Sequence, residues 1–312
     1  MLDPRFKAHL DEQAKAAAAQ PAPPLSAIPP AMIRAGYRAG RTATDRNAPQ
    51  DLDVRDRVLD GPDGPIPVRL YTPPDAPTPG PGVVYFHGGG FVIGDLETHD
   101  GHCRRLASAS GARVMAVDYR LAPENPFPAG HDDALNATKW AFDHAGEIGF
   151  DPARIAVAGD SAGGNLAACV ALDLRGDARR KLAFQLLLYP CTFPEEATAS
   201  SRELDGPILT QAAMMWFENS LAALTHPDGH RAYPARNKDL SGAPPALVVT
   251  AGFDLLKDEG RDYAGALADA GVPVEHVEYP SLPHDFYIIH DVSPAVGEAL
   301  RETAAALKAA LA

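Results

Sequence analysis

A chain of 312 residues with 46% hydrophobic content is long enough to bury a full core, as one large domain or two small ones. Its 28 basic against 41 acidic side chains leave a charge of −13, which argues against nucleic acid and anionic membrane as partners. No run of about eighteen apolar residues occurs, the N-terminus lacks a basic start followed by an apolar core, and three cysteines, Cys103, Cys169 and Cys191, suggest no disulfide framework, so a cytoplasmic protein without a membrane span is expected.

From Asp3 to Gln20 the pattern predicts a helix, with Asp3 as its cap, Pro4 in its first turn, and Phe6 and Leu10 on one face. The prolines from Pro21 to Pro30 end that helix and impose an extended or looped path. Leu25, Ile28, Met32, Ile33 and Tyr37 make the segment too apolar for a free tail. It is expected to lie over an apolar opening as a lid.

Residues 52–59 and 65–72 alternate polar and apolar around Gly61-Pro-Asp-Gly64, a hairpin signal. Val83 to Phe86 reads as a buried strand that runs into His87-Gly-Gly-Gly-Phe91. A helix from about His99 to Ser110, a strand from Arg113 to Tyr119, a helix from His131 to His144 and a strand from Ile155 to Ala158 follow. The turn Gly159-Asp-Ser161-Ala-Gly163 then opens a helix of small residues. After it come strand Phe184 to Tyr189, an irregular stretch with one helical run from Thr210 to Ala222, strand Ala246 to Ala251, helix Leu256 to Ala270, strand Val274 to Tyr279 and helix Pro294 to Leu311.

Strands that alternate with helices predict an α/β fold with a mostly parallel eight-stranded sheet, helices on both faces and the hairpin as an antiparallel edge. Residues 1–50 and 193–243 fit no strand-helix repeat. They are expected to be two cap segments over the carboxyl ends of the strands of a domain spanning 51–312, where ligands bind in such sheets.

Ser161 between two glycines, with a strand before it and a helix after it, reads as a nucleophile elbow. A serine hydroxyl is a poor nucleophile at neutral pH and needs a base oriented by an acid. Both follow in the required chain order. Asp254 stands at the end of strand Ala246 to Ala251, and His284 shortly after the last strand. Asp254 could instead cap the next helix, which would leave Asp258 as the acid. Asp285, beside His284, is not favoured because neighbouring side chains in an extended loop diverge.

Acyl transfer also builds charge on the carbonyl oxygen, and Gly88 and Gly89 with the N–H of Ala162 are the candidate oxyanion hole. A phosphate-cradling loop would need a Lys-Ser/Thr ending that is absent. Phe91, Met214, Trp216 and Phe217 are candidates to line a substrate pocket. His99, His102 and Cys103 superficially offer metal ligands but open a predicted helix, and no metal is expected. Arg120 and Glu124 are expected to be buried structural partners.

Together with His87 to Phe91 and the elbow, the pieces Asp118-Tyr-Arg-Leu-Ala-Pro-Glu124, Phe127-Pro-Ala129, Leu240-Ser-Gly242, Pro244-Pro245 and Gly252-Phe-Asp254 resemble the hormone-sensitive-lipase-like family of α/β-hydrolases over roughly residues 50 to 311. The resemblance implies a triad of Ser161, Asp254 and His284, no cofactor, and hydrolysis of small-molecule carboxylic esters with short to medium acyl or aryl groups. It also implies a homodimer joined beside the last strand. An amide hydrolase or lyase-type relative on the same site, and a non-catalytic ligand-binding protein on the same scaffold, remain as alternatives. Two departures stand out: Asp285 where the family usually has glycine, and Leu255 where it often has proline. A carboxylate at 285 is expected to hold a proton on His284 and push the acid limb of the pH profile upward.

Overall fold

The computed structural model of the chain describes residues 1–19, 23–44 and 47–312. Asp3 accepts the N–H groups of Arg5 and Phe6 at 2.9 and 3.1 Å and so starts α1 (Pro4–Ala19), whose Phe6 is fully buried. The expected helix end at Gln20, and Pro21 and Ala22 of the proline-rich stretch, lie outside the described residues. Beyond them residues 23–29 take a looped path, and the helix that follows was not predicted. A single 3-10 turn at Leu25–Ala27 leads into α2 (Pro30–Thr44). Pro30 sits in the first turn, where no helical N–H is missed, so a proline run can end by starting a helix.

β1 (Asp53–Gly61) and β2 (Gly64–Thr72) form the predicted hairpin. β3 (Gly80–Phe86), α3 (Asp100–Ser110), β4 (Arg113–Val117), α4 (Ala129–Asp143), the short α5 (Ala145–Ile148), β5 (Phe150–Asp160), α6 (Ala162–Leu174) and β6 (Phe184–Leu188) follow. The chain then passes through α7 (Ala199–Glu203) and α8 (Gln211–Leu221) before β7 (Ala246–Phe253), α9 (Lys257–Asp269), β8 (Val274–Pro283) and α10 (Pro294–Ala310). The eight strands make one sheet in the order β1-β2-β4-β3-β5-β6-β7-β8, antiparallel at β1–β2 and β2–β4 and parallel elsewhere.

Successive side chains of a strand point to opposite faces, so continuous apolar runs bury on both. Val83 and Tyr85 of β3 pack in one cluster with Leu106 of α3 and Leu307 of α10, whereas Val84 and Phe86 pack in the other with Ala137 of α4, Leu166 of α6 and Leu267 of α9. Because β4 lies on one side of β3 and β5 on the other, the strand order reverses between β3 and β5. A crevice opens at the carboxyl ends of such a pair. Here those ends are Phe86, followed by the glycine run, and Asp160, followed by Ser161. Among the described residues no helix is long and apolar enough to cross a membrane, and the three cysteines are buried and form no disulfide.

Candidate active site

The turn from β5 into α6 puts Ser161 at φ 56° and ψ −116°, a strained conformation for a residue with a Cβ. Such a turn survives only if its neighbours yield space. A Cβ at 163 would lie 1.9 Å from the Phe86 carbonyl oxygen, and one at 159 would lie 2.2 Å from the Gly163 carbonyl oxygen. The two glycines are therefore a steric requirement. Ser161 N–H donates to Leu188 O at 2.9 Å, which ties the elbow to β6.

Asp254 follows β7 and His284 follows β8, which brings both to the rim where Ser161 stands. His284 Nδ1 lies 2.6 Å from Asp254 Oδ2, and its Nε2 lies 3.0 Å from Ser161 Oγ. Since a carboxylate only accepts, Nδ1 donates to Asp254, which leaves Nε2 of the neutral ring to accept from the serine hydroxyl. Burial works against a charged imidazole, yet Asp254, and behind it Asp285 and Asp160, hold the His284 pKa above its ordinary value.

Asp254 also accepts the Leu256 N–H at 2.9 Å through Oδ1, so one carboxylate both orders the approach to α9 and meets the histidine. Asp258 is placed elsewhere. It accepts from Ser200 N at 2.8 Å and from Arg261 at 2.9 Å. Asp285 pairs with Arg41 of α2.

The oxyanion expectation needs a correction at one position. The Gly88 N–H donates to Asp160 Oδ1 at 3.0 Å, so that donor is committed to a carboxylate. Gly89, Gly90 and Ala162 line the cavity beside Ser161. Among the described residues no acceptor takes the N–H of Gly89 or Gly90, and Ala162, as the first residue of α6, has no helical partner for its own. Positive φ at Gly89 (114°) and Gly90 (59°) lets the loop run close to the opening, and a Cβ at 90 would lie 2.1 Å from the Phe217 ring.

Fully buried Asp160 holds this loop from beneath. It accepts from Tyr85 Oη at 2.6 Å and stands 3.3 Å from His99 Nε2. Burial alone would raise its pKa, but His99 and Tyr85 hold it well below the usual carboxylate range. His99 is thus engaged by a carboxylate and His102 lies against Tyr85 and Tyr287. Among the described residues no group of three His, Cys, Asp or Glu side chains could hold a metal ion.

The cavity over Ser161 holds about 280 Å³ and is lined largely by apolar side chains. Phe91, Met214, Trp216 and Phe217 all contribute, as do Cys191 and Phe193 after β6 and Ile33, Tyr37 and Arg41 from α2. Ile33 and Tyr37 belong to the apolar segment expected to act as a lid, whereas Arg41 went unread, although the spacing of four that links the three was a helical signal. The pairing expected of Arg120 and Glu124 is also corrected. Arg120 bonds Asp133 at 2.7 and 2.8 Å, while Glu124 is exposed and takes Arg34 of α2 at 2.6 and 3.0 Å.

A mostly parallel eight-stranded sheet with a Gly-Asp-Ser-Ala-Gly turn at the carboxyl end of its fifth strand defines an α/β-hydrolase. The family described as alpha/beta hydrolase fold matches residues 83–288. Esterase LipI of Mycobacterium tuberculosis is 45% identical over 84% of this chain and 83% of its own, and carboxylesterase NlhH of the same organism is 44% identical over 84% of each. The solved esterase of Pyrobaculum calidifontis superposes with a TM-score of 0.89 at 39% identity, covering 100% of both chains. The chain belongs to the hormone-sensitive-lipase-like family of α/β-hydrolases.

Proposed function

We propose that Ser161, His284 and Asp254 act as a catalytic triad and that hydrolysis passes through an acyl-enzyme on Ser161. The chain is a carboxylesterase, in keeping with its relatives. In the proposed cycle Ser161 Oγ attacks the ester carbonyl carbon while His284 Nε2 takes the hydroxyl proton, and Asp254 holds the imidazolium that forms. The N–H groups of Gly89, Gly90 and Ala162 stabilise the oxyanion. Collapse breaks the bond to the alcohol, which leaves with the proton from His284. Water, deprotonated by the same nitrogen, then attacks the acyl carbon and releases the carboxylic acid and Ser161.

The observation that carries this reading is the unbroken path from Asp254 Oδ2 through the imidazole to Ser161 Oγ, at 2.6 and 3.0 Å, opening into an apolar cavity. Residues 1–50 and 193–243 are read as the two cap segments over the 51–312 domain. Ile33, Tyr37 and Arg41 from the first and Met214, Trp216 and Phe217 from the second meet in the cavity wall. The apolar lining and the volume of about 280 Å³ favour esters with short to medium acyl or aryl groups. Cytoplasmic residence is part of the same reading, supported by three cysteines that form no disulfide. A homodimer through β8 is proposed with it, since β8 ends the sheet.

Labelling with a fluorophosphonate, followed by peptide mapping, tests the mechanism. The expected adduct sits on Ser161, and Ser161→Ala loses turnover of nitrophenyl esters by orders of magnitude while staying folded. An adduct elsewhere, or a Ser161→Ala protein that still turns over, removes the proposal. A series of acyl lengths on the unaltered protein tests the substrate class.

A further inference from the structure

Asp285 follows His284 directly and has φ 66°, in the left-handed region that glycine enters freely and other residues enter at a cost. Its carboxylate is taken by Arg41 of α2, and the two side chains are only 10% and 14% exposed. The guanidinium lies 4.7 Å from the ring centre of Tyr37, one turn earlier in α2. Tyr37, Arg41, Asp285, His284 and Ser161 all face the same cavity. A side chain of α2 that lies 244 residues away along the chain thus grips the residue next to the base.

We propose that Arg41 is a positioning residue for the proton-transfer step: through Asp285 it fixes the backbone that carries His284, and it offsets the carboxylate charge beside the imidazole. The proposal rests on the reading of Ser161, His284 and Asp254 as a triad. A shielded ion pair that loses one member leaves an uncompensated charge, which costs far more than losing a surface pair. With Arg41 gone, a bare carboxylate at 285 favours the imidazolium, and an imidazolium cannot take the serine proton.

The groups that face His284 define what else sets its charge. Asp160 and Ser161 come from the elbow, Tyr189 from the end of β6 with its ring 4.8 Å away, Asp254 from the end of β7, Asp285 from its own loop, and Arg41 with Tyr37 from α2. Arg41 is the cation in this set. Removing it need not detach α2, because Arg34 holds Glu124 at 2.6 Å and Arg38 holds Asp95 at 2.7 Å.

The test is a double-mutant cycle of Arg41→Ala, Asp285→Gly and both together, with kcat and KM followed against pH on a short nitrophenyl ester. Arg41→Ala is expected to lower kcat by roughly tenfold to a hundredfold, to change KM less, and to move the acid limb upward. Asp285→Gly moves that limb downward. The double variant recovers most of what Arg41→Ala loses, because glycine takes the positive φ without a partner and no carboxylate remains. Additive losses with superimposable acid limbs overturn the proposal. Should Arg41→Ala fail to fold, Arg41→Gln removes the charge with less loss of packing, and the same comparison is made with it. Ser161→Ala separates the two readings: if it stays active the triad reading fails, and if it is inactive while the cycle is additive only the role of Arg41 fails.

Discussion

Asp160 accepts the Gly88 N–H at 3.0 Å on the same Oδ1 that the Tyr85 hydroxyl reaches at 2.6 Å. The residue before Ser161 therefore anchors the glycine loop that faces it across the crevice. Asp160→Ala is expected to lower kcat by roughly tenfold to a hundredfold with a smaller change in KM, since the loop carrying the proposed oxyanion donors loses its support. Asp160→Asn, which keeps an acceptor, should lose less. Equal KM and kcat effects in the alanine variant would show that the loop is held by something else.

The same carboxylate sets an acid limit on stability. Its folded pKa is held below the ordinary value, so its contribution is fully present above about pH 4 and is lost as pH falls toward its own lower value. Acid unfolding followed by circular dichroism should show a shallower slope below about pH 4 in Asp160→Asn than in the unaltered protein.

Glycine positions separate by what a Cβ would meet. Gly163→Ala drives a methyl to 1.9 Å from a backbone oxygen that cannot move aside, and a loss of about 3 kcal/mol or more is expected from urea titration. Gly36 in α2 has nothing within 4 Å of that position. Gly36→Ala should be neutral or stabilising by about 0.5–1 kcal/mol, because it gains helix propensity. Similar midpoints for the two variants would refute the steric account of the elbow.

Glu259 of α9 is buried and accepts Thr192 N–H at 2.6 Å, beside the cavity residues Cys191 and Phe193. Burial outweighs its backbone partners and pushes its pKa up to about 8. A carboxyl whose folded pKa is raised binds more protons folded than unfolded, so its contribution to stability falls as pH rises from about 4.5 to about 8. Glu259→Gln keeps an acceptor and cannot ionise. Urea midpoints across that window should therefore fall less in the variant, and parallel curves would count against a neutral Glu259.

Phe217 covers Gly90 on the wall of the cavity. Phe217→Ala opens that wall, and the ratio of kcat/KM for octanoyl over acetyl nitrophenyl esters should rise by about tenfold, the scale on which apolar pockets discriminate length. An unchanged ratio would place the acyl chain on another side of the cavity.

Much of the fold and of the site was legible in the chain order, because its signals are local. Alternating apolar runs mark strands, small residues on either side of Ser161 mark a tight turn, and Asp254 and His284 stand just past the last two parallel strands. Parallel strands deliver their carboxyl ends to one rim, so the order of residues already constrained who could meet. Local signals failed where proline obscured α2, since the residues that start a helix and those that break one overlap in type.

Only the tertiary structure decided which donors are committed and which charges are paired. Gly88 loses its N–H to Asp160, 72 residues away, and Asp285 finds Arg41 at a separation of 244 residues. Hydrogen bonds and ion pairs reach only a few ångströms, and that proximity depends on how the whole sheet and the helices around it are packed, which no short window of residues records.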